Sequence, residues 1–179
     1  MLRLENLLMA MALHLHDRLS EAAKCETGHV LTDASALVLI WNNGPIPIQS
    51  FARTIGMSHP AAVQQIDRLC ADGLLQRAVG KDRRCRPIRL TSKGRNRVRA
   101  FLKTRSAIAR DAMRDFTRDD RATLERLISR MLSTSATDRR TVDHLCRCCD
   151  EYACPPQLCP AEKRVAHIPS PLTLHAQNF

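Results

Sequence analysis

Apolar positions recur along most of this chain at helical spacing, broken once in the middle by a short alternating stretch. Leu4, Leu8, Met11, Leu15 and Leu19 follow one another at steps of three and four, and Leu7 widens the stripe. This spacing predicts an amphipathic helix over 2–24. Such a stripe needs a partner, either the chain's own core or a second chain. Residues 25–31, with Gly28, read as a loop. Thr32 or Asp33 is expected to cap a second helix through Ala36, Leu37, Leu39, Ile40 and Trp41. Asn42-Asn43-Gly44-Pro45 ends it, since Gly and Pro together stop helices. A short helix over 47–56 turns Ile48, Phe51, Ala52 and Ile55 inward and closes at Gly56. Ser58 caps the next helix, which tolerates Pro60 in its first turn and ends at Asp72-Gly73.

From Leu74 the period changes. Leu74–Val79 and Pro87–Thr91 read as two strands joined by the polar turn 80–86, a hairpin with a basic tip. Residues 92–115 predict a long basic helix with Val98, Phe101, Leu102 and Ile108 inside. Thr117 caps a further helix with Leu124, Leu127, Ile128, Met131 and Leu132 inside, continuing past a weak point at Ser133-Thr134-Ser135 to about Leu145. A cysteine-rich segment follows, and the last twenty residues, without periodicity, read as a mobile tail. The chain is thus mainly α with one small β-hairpin.

Composition sharpens this. The 179 residues include one Trp, one Tyr and four Phe, so the core is built from Leu, Ile, Ala and Met, which suits helices. The formal net charge is +10 and the pI about 9.7, which points to a polyanionic partner. No run reaches the roughly 18 uninterrupted apolar residues of a membrane span. Arg3, Glu5, His14, His16 and Asp17 interrupt the N-terminal apolar stretch, unlike a secretory signal. A cytoplasmic protein is expected, and its eight cysteines then suggest metal or redox chemistry before structural disulfides.

The order helix, short turn, helix, hairpin has a chemical use. In the second helix of the pair, Ala62, Val63, Ile66, Leu69 and Cys70 form the expected buried face. Ala61, Gln64, Gln65 and Arg68 line the opposite one. Gln can pair with adenine, Arg with guanine, and Ala can touch a thymine methyl in the major groove of double-stranded DNA. Ser58 and His59 stand at the helix N-terminus, where N–H groups favour a phosphate. The hairpin tip adds Lys81, Arg83, Arg84 and Arg86, cations suited to phosphates or a narrow minor groove. Asp82 among them is expected to orient one arginine. Taken singly, each feature is most often a solvated face; together they fit one docking geometry.

Three stretches carry a resemblance: Ile55-Gly56-Met57-Ser58 with Val63 and Leu69; Leu69, Asp72, Gly73, Leu74, Leu75 and Arg77; and Asp82-Arg83-Arg84 with Leu90-Thr91-Ser92-Lys93-Gly94. They resemble the winged helix-turn-helix of MarR-type transcription regulators, and the likeness extends over about 1–145. It implies a homodimer on a pseudo-palindromic operator, held by the N- and C-terminal helices. It implies Arg84 as the arginine entering the minor groove, with Asp82 as its holder. It also implies repression relieved by a small-molecule inducer or by thiol oxidation. The expected organisation is an N-terminal dimerisation helix and loop (1–31), a winged helix-turn-helix (32–94), C-terminal dimerisation helices (95–145), a cysteine-rich module (146–160) and a flexible tail (161–179).

The family pattern does not require the cysteines of that module. Cys146-x2-Cys149-x4-Cys154-x4-Cys159-Pro160 is a spacing in which four thiolates can surround a zinc ion or an iron–sulfur cluster, leaving Cys148 as a spare ligand. The same thiols without metal suit disulfide exchange. Asp150 and Glu151 are expected to lie outside the donor set, while His144 is near enough to be considered. Cys70 reads as packing; Cys25 and Cys85 are undecided.

Two other functions compete with a DNA-binding regulator. A thiol-dependent enzyme would need a redox pair in a βαβ context, which the chain lacks, and no catalytic triad, phosphate loop or paired acids appear. A protein-interaction adapter on the same scaffold would not need so cationic a hairpin.

Overall fold

The computed structural model describes residues 2–78, 87–170 and 172. Helix α1 (Leu2–Thr27) runs three residues further than the apolar stripe requires, because Thr27 turns back onto the Ala23 carbonyl (2.7 Å). Its C-terminal half lies on α5 (Ser92–Ala112), joined by Arg18–Asp111 (2.6 Å) and Thr104–Glu26 (2.7 Å). Between them, α2 (Leu31–Asn43) is buried continuously from Asp33 to Ile40. A helix apolar on all sides belongs at the centre of a core, and α2 occupies that place. Its expected side-chain cap is a correction: Val30 is the N-cap residue, with no side-chain hydrogen bond. Thr32 and Asp33 fall in the first turn, and Asp33 has partners of its own in the interior.

Helices α3 (Ile48–Ile55) and α4 (His59–Ala71) pack against one another. Strands β1 (Leu75–Arg77) and β2 (Ile88–Leu90) pair antiparallel, Leu75 opposite Leu90 and Arg77 opposite Ile88. Ile46 adds an isolated bridge to Ile88. The strands are shorter than the alternation predicts, and the expected hairpin tip lies outside the described residues. The junction after β2 has a stringent geometry. Thr91 accepts from Gly94 N (3.0 Å), capping α5, while its hydroxyl donates to the Gly73 carbonyl (2.7 Å). This pulls α5 onto the turn before β1. A Cβ at Gly94 would stand 2.1 Å from the Leu74 carbonyl oxygen. The Thr-x-x-Gly spacing is therefore a cap and a close approach in one.

Helix α6 (Arg118–Ser135) begins with the expected cap, reciprocal between Thr117 and Asp120. Its apolar face is not inside the chain: Leu127, Ile128 and Met131 are exposed, and Leu124 and Leu132 half-buried. Leu4, Leu8 and Met11 of α1 are exposed too, whereas Leu15 and Leu19 pack on the main core, so among the described residues the N-terminal part of the α1 stripe and the Leu127–Ile128–Met131 face of α6 are left uncovered.

The weak point near 133–135 is a true break. Ala136 ends α6, Asp138 caps α7 (Arg139–Leu145) by accepting from Thr141 N (2.9 Å), and a cysteine loop leads to α8 (Pro160–Val165). The flexible tail expected over 161–179 is corrected in its first part. Ala161 and Val165 of α8 join Ala136, Val142 and Cys159 in a small second core, and Leu172 reaches the main one. Arg139 holds α7 to α8, donating to both oxygens of Glu162 and to Asp143 (2.9 Å). Burial, aided by the Glu162 charge and opposed by Arg139, pushes the Asp143 carboxyl up to about 6. No helix among the described residues is long and apolar enough to cross a membrane.

Gly94→Ala should test the α5 junction. An inserted methyl pressed against backbone cannot be relieved by a rotamer change. Thermal denaturation is expected to show destabilisation by about 1–3 kcal/mol or more. A variant as stable as the parent would show that this approach is not a tight one.

Candidate nucleic-acid interface and thiol cluster

Helix α4 is set by its cap and by one buried carboxylate. Ser58 accepts from Ala61 N (3.4 Å), and Pro60 fits the first turn without breaking a bond. Ala62, Ile66 and Leu69 form the buried face, Val63 and Cys70 lie half-buried at its edges, and His59 and Gln64 are exposed. Gln65 departs from the expected reading row. It is 4% exposed, and its amide donates to Asp33 Oδ1 (2.8 Å) and the Thr32 carbonyl (3.3 Å). Gln65 is a buried anchor, not a base-reading side chain.

Arg68 is anchored and open at once. Nη2 donates to Asp33 Oδ1 (3.1 Å), yet 56% of its side chain is exposed. Asp33, with only 4% of its side chain exposed, also faces His29 Nδ1 (3.4 Å), and His29 Nε2 reaches Asp72 (3.3 Å). A buried carboxylate is tolerated only when its oxygens are answered. Here the answers come from Gln65 and Arg68, so the carboxylate fixes the rotation of α4 about its axis. The open row that remains is Ala61, Gln64 and Arg68, with Ser58 and His59 at its N-terminal end. Asp67, on the flank of α4, is tied to Arg77 of β1 (2.6 Å). Lys81, Asp82, Arg83, Arg84, Cys85 and Arg86 lie outside the described residues.

The cysteines divide by direction. Cys148 leaves the group: its sulfur meets Ser35 Oγ of α2 at 2.9 Å, and burial pushes its thiol up. The other four approach one another. Cys149, burial and Cys159 push the Cys146 thiol up, and burial, Cys159 and Cys149 do the same to Cys154. The neighbouring Cys146 thiol holds Cys149 down to about 7, while Cys149 and burial push Cys146 far above the ordinary thiol range. Among the described residues no group of three or more His, Cys, Asp or Glu side chains is placed to hold a metal ion. Cys25 is exposed, and Cys70 packs at the core edge as expected, its thiol raised mainly by burial.

The thiol loop docks on α2. Asn42 Nδ2 donates to the Cys149 carbonyl (2.9 Å), and Tyr152 meets the edge of Trp41 with ring centroids 6.3 Å apart. His144 does not join the thiols. Instead it lines, with Arg147, a groove of about 390 Å³ whose other wall includes Met57, Ala61, Gln64 and Arg68. Sequence periodicity misses two features: the Asp33 network and the closeness of the C-terminal segment to α4. The first has a local signal, an acidic residue opening an otherwise apolar helix.

Comparison with known proteins agrees with this geometry. Residues 31–85 match the model of the MarR family. A search of curated proteins finds no match. Among solved structures, YusO from Bacillus subtilis superposes with a TM-score of 0.66 at 18% identity, over 72% of this chain and 92% of that one. RV1404 from Mycobacterium tuberculosis gives 0.65 at 22% identity, over 71% and 88%. A point mutant of MepR from Staphylococcus aureus, solved bound to an oligodeoxyribonucleotide, gives 0.59 at 15% identity, over 73% and 96%. The segment 31–85 is a MarR-family match, and the fold built around it is the MarR winged helix.

Proposed function

We propose that this chain is a sequence-specific, double-stranded-DNA-binding transcription regulator, a cytoplasmic homodimeric repressor acting on a pseudo-palindromic operator. The observation that carries the reading is the row Ala61, Gln64 and Arg68, displayed on a helix whose rotation is fixed by Asp33. Polar groups of this kind, rigidly presented beside a two-stranded wing, suit base edges in the major groove. The MepR mutant of the same fold, solved with an oligodeoxyribonucleotide, adds support. The net charge of +10 suits the phosphate backbone. No residue is assigned a catalytic role.

Two variants separate reading from anchoring to the backbone. Gln64→Ala should reduce the preference for a selected operator over a scrambled duplex by about 1–3 kcal/mol for each base pair no longer read. Arg84→Ala should weaken binding to both duplexes. Anisotropy titrations at fixed salt measure both, and equal wild-type affinity for the two duplexes would remove the claim of sequence specificity.

A second copy of the chain is the proposed partner for the exposed stripes of α1 and α6. Leu8→Asp combined with Ile128→Asp is expected to convert the dimer to a monomer in light scattering and to abolish tight operator binding. A wild-type monomer at micromolar concentration would sink this assignment.

The thiol cluster is the proposed point of control, relieving repression as a small-molecule inducer would. Cys146, Cys149, Cys154 and Cys159 form a soft donor set of the kind that holds zinc or an iron–sulfur cluster. Loading would require release of thiol protons. The lowered Cys149 thiol suits the metal-free alternative, in which two thiols give up two electrons and two protons to an external oxidant such as a peroxide and form a disulfide. Metal analysis of protein purified without air decides between them. Zinc or iron near one site per monomer should vanish in Cys159→Ser and persist in Cys148→Ser. Absence of both metals from the wild-type protein would leave disulfide formation as the control.

A further inference from the structure

The segment after α6 lies beside α4, and it carries an exposed Arg140 and a half-buried Arg147, while its exposed carboxylate, Asp138, is engaged as the α7 cap. Helix α7 packs on α3, and the Arg140 guanidinium is so close to the turn between α3 and α4 that a Cβ on Gly56 would meet its Nη2 at 2.9 Å. Further along the chain, Arg147 and His144 form one wall of the groove whose other wall carries Ala61, Gln64 and Arg68. We propose that α7 and the start of the cysteine loop form a third DNA-contacting element, in which Arg140 and Arg147 grip phosphates flanking the groove read by α4. This proposal rests on the DNA-binding reading above and extends it to a part of the chain that reading does not use.

Charge selects the partner. Among the described residues neither Arg140 nor Arg147 forms an ion pair; Arg147 donates to the carbonyl of His144 (2.6 Å). The carboxylates nearby are already engaged. Asp33 is held by Gln65, Arg68 and His29, and Asp138 caps α7. A segment that covered α4 to block DNA would need to satisfy Gln64 and Arg68 with acceptors in place of phosphates. This one offers guanidinium groups, which match phosphate in a planar two-pronged fit. The element is also held in place before any ligand arrives. Cys148–Ser35 and Asn42–Cys149 fix the residues on the C-terminal side of Arg147, and Arg139–Glu162 fixes α7 next to Arg140. Ordering two long side chains on such a support costs less than ordering them on a free tail.

The test uses the full-length protein and a duplex that the wild type itself selects from a random-sequence library. Binding is titrated by anisotropy from about 50 to 200 mM salt. In Arg140→Gln combined with Arg147→Gln, the slope of log affinity against log salt should fall by about 0.9 for each arginine on each bound protomer. The ratio of affinities for selected and scrambled duplex should stay the same, because phosphate contacts carry no sequence information. Arg140→Lys combined with Arg147→Lys keeps the charges and should retain most of the wild-type slope. An unchanged slope in the glutamine pair overturns the proposal. Tighter binding by that pair also overturns it and makes the segment an occluding one. An equal fall in the lysine pair assigns the effect to folding and overturns it too. If the wild type selects no duplex at all, the DNA-binding reading itself has failed, an outcome distinct from the other three.

Discussion

The buried carboxylate of Asp33 constrains more of this molecule than any other single group. Taking a charge out of water costs several kcal/mol unless its oxygens are met. In this fold they are met almost wholly from α4, by Gln65 and Arg68, with His29 closing the third side. A helix resting on an apolar surface alone can slide or roll by a fraction of a turn at small cost. A helix whose polar side chains must reach one fixed oxygen pair cannot. The consequence appears on the adjoining open row of α4, where Ala61, Gln64 and Arg68 are presented in one orientation. Positioning of the exposed row of α4 thus begins 35 residues upstream of Arg68, at the first turn of the central helix.

This explains which parts are legible in the sequence. Ser58 and Thr117 announce helix starts through their own side chains, and each caps as expected. The Thr91-x-x-Gly94 motif is equally local, and its meaning is visible in the cap and in the Leu74 carbonyl that fills the space a side chain would need. Gln65 escapes such a reading because a helical wheel places it at the margin between two faces. Its direction is decided by Asp33, which no periodicity places nearby. The same holds for α8. Six residues have little tendency to form a helix alone. This one exists because Glu162 pairs with Arg139 and because Ala161 and Val165 find Val142. For α1 and α6 the sequence marks the stripe but is silent on whether the covering surface comes from the same chain.

The thiol grouping is legible in one respect and not in another. Spacing separates Cys148 from the other four cysteines of the loop, and the fold gives that separation a physical basis: Cys148 belongs to α2 through Ser35, while Cys146, Cys149, Cys154 and Cys159 belong to each other. Spacing cannot show that the loop lies on the same helix that carries Asp33. Helix α2 is therefore a common mounting, with α4 locked to its first turn and the thiol loop hydrogen-bonded to Ser35 and Asn42.

That shared mounting gives thiol chemistry a short path to the groove lined by Gln64 and Arg68. Cys146, Arg147, Cys148 and Cys149 are consecutive, so sulfur atoms bracket the arginine on both sides. Cys148 is held inward by Ser35, the Cys149 carbonyl is held by Asn42, and the arginine lines the groove opposite Gln64. Any reaction that changes the distances among these sulfurs, whether a bond between two of them or a shared ion, must rotate peptide units adjacent to Arg147. A shift of about an ångström there is comparable to the tolerance of a bidentate phosphate contact. The coupling needs no long pathway through the core. It follows from placing reactive and contacting side chains next to one another on one short, anchored turn.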